Sequence, residues 1–402
     1  MIAFVAILFV SCDKQPEVHH LMKTRPLGAT GIMVSEIGIG CGAFEKFDTA
    51  QARQYMNLAM DSGINYIDIY DANPEVRSNI GYALRGRRDQ MNIQGHVGVC
   101  WKDGQYKKTR DVAECKEGFE DLLKRLETDH IEVGMIHITD TWEQWEEIQN
   151  SEYLDYVKQL KAEGKILHIG LSSHNAEVAL AAVKSGVVEV LMFSMNPAFD
   201  YLPSGVNPWE ANFDSVAMAG IDPARVELCD YCATHNIAIV NMKTFAGGRL
   251  LDVAKSPLHV AFTPVQCLAY VLSKPCVACA LTGANTCDEL QQALDYVTAT
   301  DEQKEYSKLL ERPHAEAKPQ CSYCGHCAPC KAKIDIAEVN RLLDEYEAQG
   351  CEGVSNELQA QYDALKHKAS ECQECGECMK RCPFKLNVVE RMHKAVEVFE
   401  RK

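Results

Sequence analysis

The fold is decided by a pattern that is clearest in Gly164-Lys165-Ile166-Leu167-His168-Ile169-Gly170-Leu171-Ser172, where a helix-ending glycine precedes a short apolar run. Such runs are typical of buried parallel strands, and here they alternate with amphipathic helical stretches. The sequence predicts eight strands in this way, over residues 35–40, 65–71, 91–97, 131–139, 166–172, 187–195, 237–244 and 276–282. Eight strand–helix units over about 290 residues predict an α/β protein with a (β/α)8 TIM barrel. The alternative is a doubly wound open sheet, which is less favoured because no G-x-G-x-x-G motif follows the first strand.

The composition narrows the class of protein. The chain has 402 residues, of which 47% are hydrophobic and 24% charged, as expected of a folded globular protein. Its formal net charge of -16 argues against nucleic acid as a partner, because most of the surface repels phosphate. No uninterrupted apolar run reaches the ~18 residues that a membrane-spanning helix needs.

Nineteen cysteines are the most informative feature of the composition. Eight of them form two runs near the C-terminus, Cys321, Cys324, Cys327 and Cys330, then Cys372, Cys375, Cys378 and Cys382. We interpret the other eleven, apart from Cys12, mostly as free thiols that pack as small apolar side chains. So many free thiols suggest a reducing or anaerobic environment.

The second cysteine run has the spacing of bacterial ferredoxins, C-x2-C-x2-C-x3-C-P. In that pattern three thiolates bind one [4Fe-4S] cluster and the cysteine before proline binds the other. The first run ends one residue early, and Lys331 follows it in place of proline. The crossover rule predicts two clusters, one bound by Cys321, Cys324, Cys327 and Cys382 and the other by Cys372, Cys375, Cys378 and Cys330. Two structural zinc sites are the alternative, although three successive cysteines at gaps of two residues favour a cubane.

The domain organisation follows from these patterns. We expect the barrel to occupy residues 22–312 and a small helical, ferredoxin-like iron-sulfur domain to occupy residues 318–402, after a linker that contains Pro313 and Pro319. Three amphipathic helices are predicted in the second region, with apolar faces formed by Ile336, Val339, Leu343 and Tyr346, by Leu358, Tyr362 and Leu365, and by Val389, Met392, Val396 and Phe399. Their core is small, so bound metal is expected to supply part of the folding free energy.

Residues 1–21 are interpreted apart from the fold. Residues 1–10 are apolar and lead to Ser11-Cys12, which resembles the acylation site of a bacterial lipoprotein, although no Lys or Arg precedes them. Met22 begins a stretch that also reads as a natural start. The segment is therefore either a lipoprotein signal, which would anchor the chain through Cys12, or an untranslated extension. We expect a cytoplasmic protein that starts near Met22, because export of an unfolded chain would separate it from cytoplasmic cluster assembly.

Several segments resemble the aldo/keto reductase family. They are the stretch from Arg25-Pro26-Leu27-Gly28 to Gly38-Ile39-Gly40, the segment Gly63-Ile64-Asn65-Tyr66-Ile67-Asp68, the pair Ile136-His137, the stretch from Gly164 to Asn175, and the stretch from Thr263-Pro264 to Thr282-Gly283. The resemblance runs from about Lys23 to Val297, and the two cysteine runs resemble the subgroup of that family with a C-terminal ferredoxin-like domain. It implies a (β/α)8 barrel with the active site at the carboxyl ends of the strands.

The resemblance also implies catalytic residues. The family reduces carbonyls with hydride from a nicotinamide, using an Asp, a Tyr that donates the proton, a Lys and a His. Asp68 and His137 match the Asp and the His, whereas Asn73 stands at the Tyr position and His96 at the Lys position. An amide cannot supply the proton, so His96, Tyr70 and His137 remain as candidate donors.

Cofactor residues are implied in the same way. The positions that touch a nicotinamide dinucleotide in the family correspond here to Ser172, Asn175, Asn196, Lys243 and Gly283. Asn285 stands where an Arg would pair with the 2′-phosphate of NADP, so we expect NAD(H) to be preferred if a nicotinamide binds. Glu289, on the following helix, is expected to reach the adenosine.

These features support an oxidoreductase whose barrel acts on a small carbonyl or alcohol, while two [4Fe-4S] clusters exchange electrons with it or with a partner protein. The alternative is an iron-sulfur electron-transfer or structural protein whose barrel has lost nicotinamide-dependent reductase activity. A lipid-anchored binding module is a third hypothesis. The absent Tyr and Lys favour the second hypothesis over a conventional reductase, and the retained Asp68 and His137 favour the first.

Overall fold

The computed structural model of the protein describes residues 22–202, 221–310, 321, 327–348, 353–382 and 386–401. Residues 1–21 with Cys12, the predicted linker and Cys324 lie outside the described residues. Within the described part of the chain, none of the helices is long and apolar enough to cross a membrane.

The centre of the molecule is a closed barrel of eight parallel strands. Each strand pairs with the next in chain order, and the last pairs with the first. The barrel strands are β3 (Ile37–Gly40), β4 (Tyr66–Ile69), β5 (Asn92–Val97), β8 (Ile131–Ile136), β9 (Ile166–Ser173), β10 (Val190–Ser194), β11 (Ala238–Met242) and β12 (Val277–Thr282). Every predicted strand is confirmed, with ends that differ by a few residues.

Four short strands form two hairpins outside the barrel. One hairpin pairs β1 (Thr24–Pro26) with β2 (Met33–Ser35), and Leu27 and Val34 pack with the interior of the barrel. The other pairs β6 (Val99–Lys102) with β7 (Gln105–Lys108), immediately after β5. Asp103 and Gly104, which join β6 to β7, both have positive φ, as a tight hairpin turn requires.

Helices on the outside of the barrel connect its strands. They are α1 (Thr49–Asp61), α2 (Pro74–Leu84), α3 (Val112–Leu126), α4 (Trp142–Gln149), α5 (Glu152–Ala162), α6 (Ala176–Lys184), α7 (Pro223–Thr234), α8 (Pro264–Leu272) and α9 (Cys287–Leu294), with the short α10 (Asp301–Lys304) and α11 (Ser307–Leu310) after them. Side-chain caps explain where several begin: Thr263 caps α8 in a capping box with Gln266, directly before Pro264. Gly81 lets α2 approach α3, since a Cβ there would lie 2.0 Å from the Arg125 carbonyl oxygen.

Two apolar layers hold the barrel together. The interior is filled by alternate strand residues such as Tyr66, Met135 and Val240, and a larger layer lies between the strands and the helices. Two cysteines of that outer region differ from the interpretation as free thiols. Cys229 on α7 and Cys276 before β12 form a disulfide, because the two backbones approach to a Cα separation of 5.3 Å.

The C-terminal region has its own apolar core. It is built from α12 (Ile336–Ala348), α13 (Asn356–Ala364), α14 (Glu377–Arg381) and α15 (Val388–Ala395), and a π-helical turn (Val396–Glu400) extends α15. The predicted faces of the first two long helices are buried except at Tyr346 and Leu365, which are partly buried. On α15, Val388 is buried in place of the predicted Val389. Cys327 and Cys378 belong to this core, and Cys382 packs against both this core and that of the barrel.

Candidate active site

Three predicted catalytic side chains lie at the carboxyl ends of neighbouring strands. Asp68 is on β4, His96 on β5, and His137 directly follows β8. Because β4, β5 and β8 are adjacent in the barrel, their side chains meet, and each is about 2% exposed. The Nε2 atom of His96 lies 3.0 Å from Oδ1 of Asp68, and the Nδ1 atoms of His96 and His137 lie 2.7 Å apart.

The hydrogen bonds of this group assign its protons. A carboxylate only accepts, so His96 donates from Nε2 to Asp68 and, when neutral, accepts at Nδ1. His137 then donates from Nδ1 to His96 and accepts at Nε2, which lies 2.8 Å from the phenol oxygen of Tyr106. The result is a directed chain of hydrogen bonds from Tyr106 through the two histidines to Asp68.

Sequence reasoning missed Tyr106, which lies on the β6–β7 hairpin. Burial raises the pKa of the Tyr106 phenol well above its ordinary value, so the group stays protonated and donates to His137 at neutral pH. The dipeptide Asp103-Gly104 is typical of a hairpin turn, and this signal could have located the β6–β7 hairpin in the sequence.

A second pair of residues orients Asp68 from inside the barrel. Gln94 donates to Asp68 Oδ1 at 2.5 Å and accepts from the phenol of Tyr66 at 2.8 Å. Burial raises the pKa of Tyr66 well above its ordinary value, which keeps that phenol a donor. The same carboxylate oxygen therefore accepts from both Gln94 and His96.

A large cavity opens over these side chains. Its volume is about 1030 Å³, and Asp68, Tyr70, His96 and His137 all line it. Tyr70 hydrogen-bonds Glu45 Oε1 at 3.1 Å. The cavity continues to the C-terminal region, where Cys327 and Cys330 and the start of α12 form its far wall.

The residues expected to bind a nicotinamide divide into two groups. Ser172, Lys243, Gly283, Asn285 and Glu289 line the cavity. Within this group, the Asn285 backbone N–H donates to Glu289 Oε2 at 2.6 Å, and Ser172 Oγ accepts from the backbone of Ile138.

Two of the expected cofactor residues lie outside the cavity lining. Asn175 caps α6, and Asn196 is fully buried, where its amide donates to the Lys243 carbonyl. Asn73, at the position expected for Tyr, likewise caps α2 by accepting from the Glu75 N–H. The structure therefore uses these three amides to fix loops.

The cysteine runs meet around a second, small pocket. Cys330, Cys372, Cys375 and Cys378 all line it, which is the set that the crossover rule assigns to one cluster. Among the described residues, no three His, Cys, Asp or Glu side chains are placed to hold a single metal ion together. A cubane instead presents four separate iron atoms to its thiolates, so four cysteines around a pocket are a donor set that suits it.

These features define a (β/α)8-barrel enzyme with a polar site at the carboxyl ends of its strands. The model of the Aldo/keto reductase family matches residues 36–263, and the chain belongs to this family of oxidoreductases.

Known proteins agree with this assignment. The uncharacterized oxidoreductase YqkF of Bacillus subtilis is 27% identical over 305 residues, which cover 72% of this chain and 96% of that protein. An NADH-specific methylglyoxal reductase of Escherichia coli is 25% identical over 197 residues, covering 42% of this chain and 58% of that enzyme. The holo structure of an aldo-keto reductase from Bacillus halodurans shares the fold, with 24% identity, a TM-score of 0.57, and coverage of 72% of this chain and 95% of that one.

Proposed function

We propose that the protein is an aldo/keto reductase-like oxidoreductase that couples a carbonyl or alcohol site in the barrel to electron transfer through two [4Fe-4S] clusters. One observation carries the proposal: a single cavity is lined both by Asp68, His96 and His137 and by Cys327 and Cys330. The side chains that can move a proton and the cysteines that can hold a cluster therefore face the same space.

The histidine pair supplies the proton in this proposal. A substrate oxygen that displaces the contact between the two Nδ1 atoms would accept a hydrogen bond from His137 or, when the pair carries an extra proton, from His96. Asp68 stabilises a charged His96 through its 3.0 Å contact, and Tyr106 holds His137 from the other side. The pair replaces the Tyr and Lys of other family members as the proton-donating unit.

A nicotinamide is the proposed source or acceptor of hydride. The cavity has the size for such a ligand, and Lys243, Arg249 and Lys255 line it with cationic groups suited to a dinucleotide's phosphates. Position 285 carries an Asn and not an Arg or Lys, and the Asn285 amide donates to the Gly283 carbonyl. We propose NAD(H) over NADP(H), in keeping with the NADH specificity named for the Escherichia coli relative.

The clusters are proposed to be held as the spacing predicts. Cys330, Cys372, Cys375 and Cys378 would bind one, and Cys321, Cys324, Cys327 and Cys382 the other. When bound, each cubane carries single electrons. Arg381, next to Cys382, fixes the first cysteine loop by donating to the carbonyls of Cys327 and Pro329 at 2.7 and 3.0 Å.

A second candidate function is electron transfer without hydride chemistry. It is favoured by Asn73, which stands at the proton-donor position of the family and is used to cap α2. In this case Asp68 and the histidines would remain as a buried polar group.

Anaerobic purification followed by iron, sulfide and zinc analysis tests the proposal. About eight iron and eight sulfide per chain are expected, and titration with NADH should then bleach the cluster absorbance. Two zinc ions without sulfide would refute the clusters. If the protein contains its full complement of iron but does not respond to NADH, NADPH or any small carbonyl, electron transfer without hydride chemistry would be the function that remains.

A further inference from the structure

Two buried polar side chains, Gln105 and Arg381, also line the pocket formed by Cys330, Cys372, Cys375 and Cys378. Gln105 is on β7 of the β6–β7 hairpin, and Arg381 is the last residue of α14, next to Cys382. The following inference rests on the proposed cluster in this pocket.

Gln105 lines the pocket and has an unpaired donor. Gln105 is only 8% exposed, and its Oε1 accepts a hydrogen bond from Arg381 Nη1 at 3.3 Å. A guanidinium has only donors, so this contact fixes which end of the amide is the oxygen. The remaining group, Nε2, has two N–H bonds and no hydrogen-bond partner.

Arg381 has a second unpaired donor. The residue is 5% exposed, and its Nη atoms contact Gln105 and the carbonyls of Cys327 and Pro329. Its Nε has no partner. Only three buried side-chain polar atoms lack a partner in the described ranges, and two of them belong to residues that line this pocket.

A buried N–H without an acceptor is costly, so two of them at one pocket point to a missing acceptor. Cysteine thiolates and the sulfides of a cubane are acceptors with excess negative charge. We infer that Gln105 Nε2 and Arg381 Nε donate hydrogen bonds to the sulfur atoms of the cluster bound by Cys330, Cys372, Cys375 and Cys378.

These donors determine the direction of a redox effect. Reduction adds one electron and therefore one negative charge to the cluster, so N–H donors stabilise the reduced form more and raise its reduction potential. Gln105 precedes Tyr106, whose phenol contacts His137. The hairpin therefore sets the potential of one cluster with one residue and orients the histidine pair with the next.

An EPR-monitored reductive titration of the anaerobic holoprotein tests the inference. Gln105→Leu removes the donor, and Gln105→Glu keeps the shape and the acceptor for Arg381 while replacing the N–H group. Each change should shift the one-electron reduction equilibrium on the order of tenfold toward the oxidised form, or about 59 mV, at one cluster only. That cluster should be the one lost in Cys378→Ala. Tyr106→Phe, the neighbouring change on β7, should leave both potentials unchanged.

The outcomes separate the inference from the proposed function. Unchanged potentials in both Gln105 variants, with full iron and sulfide, would overturn this inference and leave the clusters in place. Wild-type protein without iron and sulfide would overturn both. A shift at the other cluster would also contradict the assignment of Gln105 to this pocket.

Discussion

The Nδ1 atoms of His96 and His137 face each other at 2.7 Å in the cavity of the barrel. One of the two must donate, and the contacts to Asp68 and Tyr106 decide that it is His137 in the neutral pair. The two rings are therefore joined by one N–H···N hydrogen bond between their Nδ1 atoms.

Replacement of His96 should disrupt this histidine pair. We expect His96→Gln to lower turnover of a carbonyl substrate by ~10^2 to 10^4, with NADH binding nearly unchanged, as for the loss of a positioned general acid. His168→Gln is the matched control, because His168 pairs with Glu189 at 2.9 Å near the amino end of β9, away from the cavity. Tyr70→Phe tests a second candidate donor. Wild-type rates in His96→Gln and a large loss in Tyr70→Phe would assign the proton to Tyr70.

Asp68 should affect turnover through its contact with His96. Asp68→Asn keeps the size of the side chain but removes the charge that faces His96 at 3.0 Å. We expect a lower kcat, because a charged His96 loses its stabilising partner. Steady-state turnover compared with the wild type checks this, and an unchanged kcat would argue that the carboxylate does not act on the histidine pair.

Loss of the Tyr106 hydrogen bond should have a smaller effect. Tyr106→Phe leaves His137 Nε2 without its donor, and we expect roughly a tenfold loss in kcat with little change in KM. Tyr153→Phe is the matched control, since that buried phenol donates to the Val97 carbonyl at 2.8 Å. Equal losses in the two variants would indicate a packing effect.

Cysteine variants should reveal the crossover of ligands. Cys378→Ala should cost the cluster of its own run, whereas Cys382→Ala should damage the cluster nucleated by Cys321. Cys287→Ala, on α9 of the barrel, should keep both. Iron analysis with EPR distinguishes the two losses. If Cys378→Ala and Cys382→Ala lose the same cluster, each run binds its own.

Cofactor preference should respond to residue 285. We expect the wild type to bind NADH at least as tightly as NADPH, and Asn285→Arg to shift the ratio of dissociation constants toward NADPH, because a guanidinium can pair with the 2′-phosphate. Gln292→Arg adds the same charge on α9 at another position of the cavity lining. Equal shifts in both variants would mean that general charge attracts the phosphate.

The sequence by itself determined the barrel. Eight apolar runs separated by amphipathic helices leave few alternatives, because each strand must bury both faces. It also placed Asp68 and His137 at strand ends and assigned four cysteines that the structure gathers at one pocket. These are local patterns of spacing and hydrophobicity, and they are readable without knowing which segments meet.

Only the tertiary structure decided which polar groups act on one another. Asn73, Asn175 and Asn196 match functional positions in sequence, yet their amides are used by helix caps and loop backbones. Tyr106 meets His137 although 31 residues separate them, and Gln105 meets Arg381 across 276 residues. Such contacts depend on the order of strands around the barrel and on how the C-terminal helices pack over its mouth. No local pattern encodes them, because a side chain's partner is set by the backbone that faces it after folding.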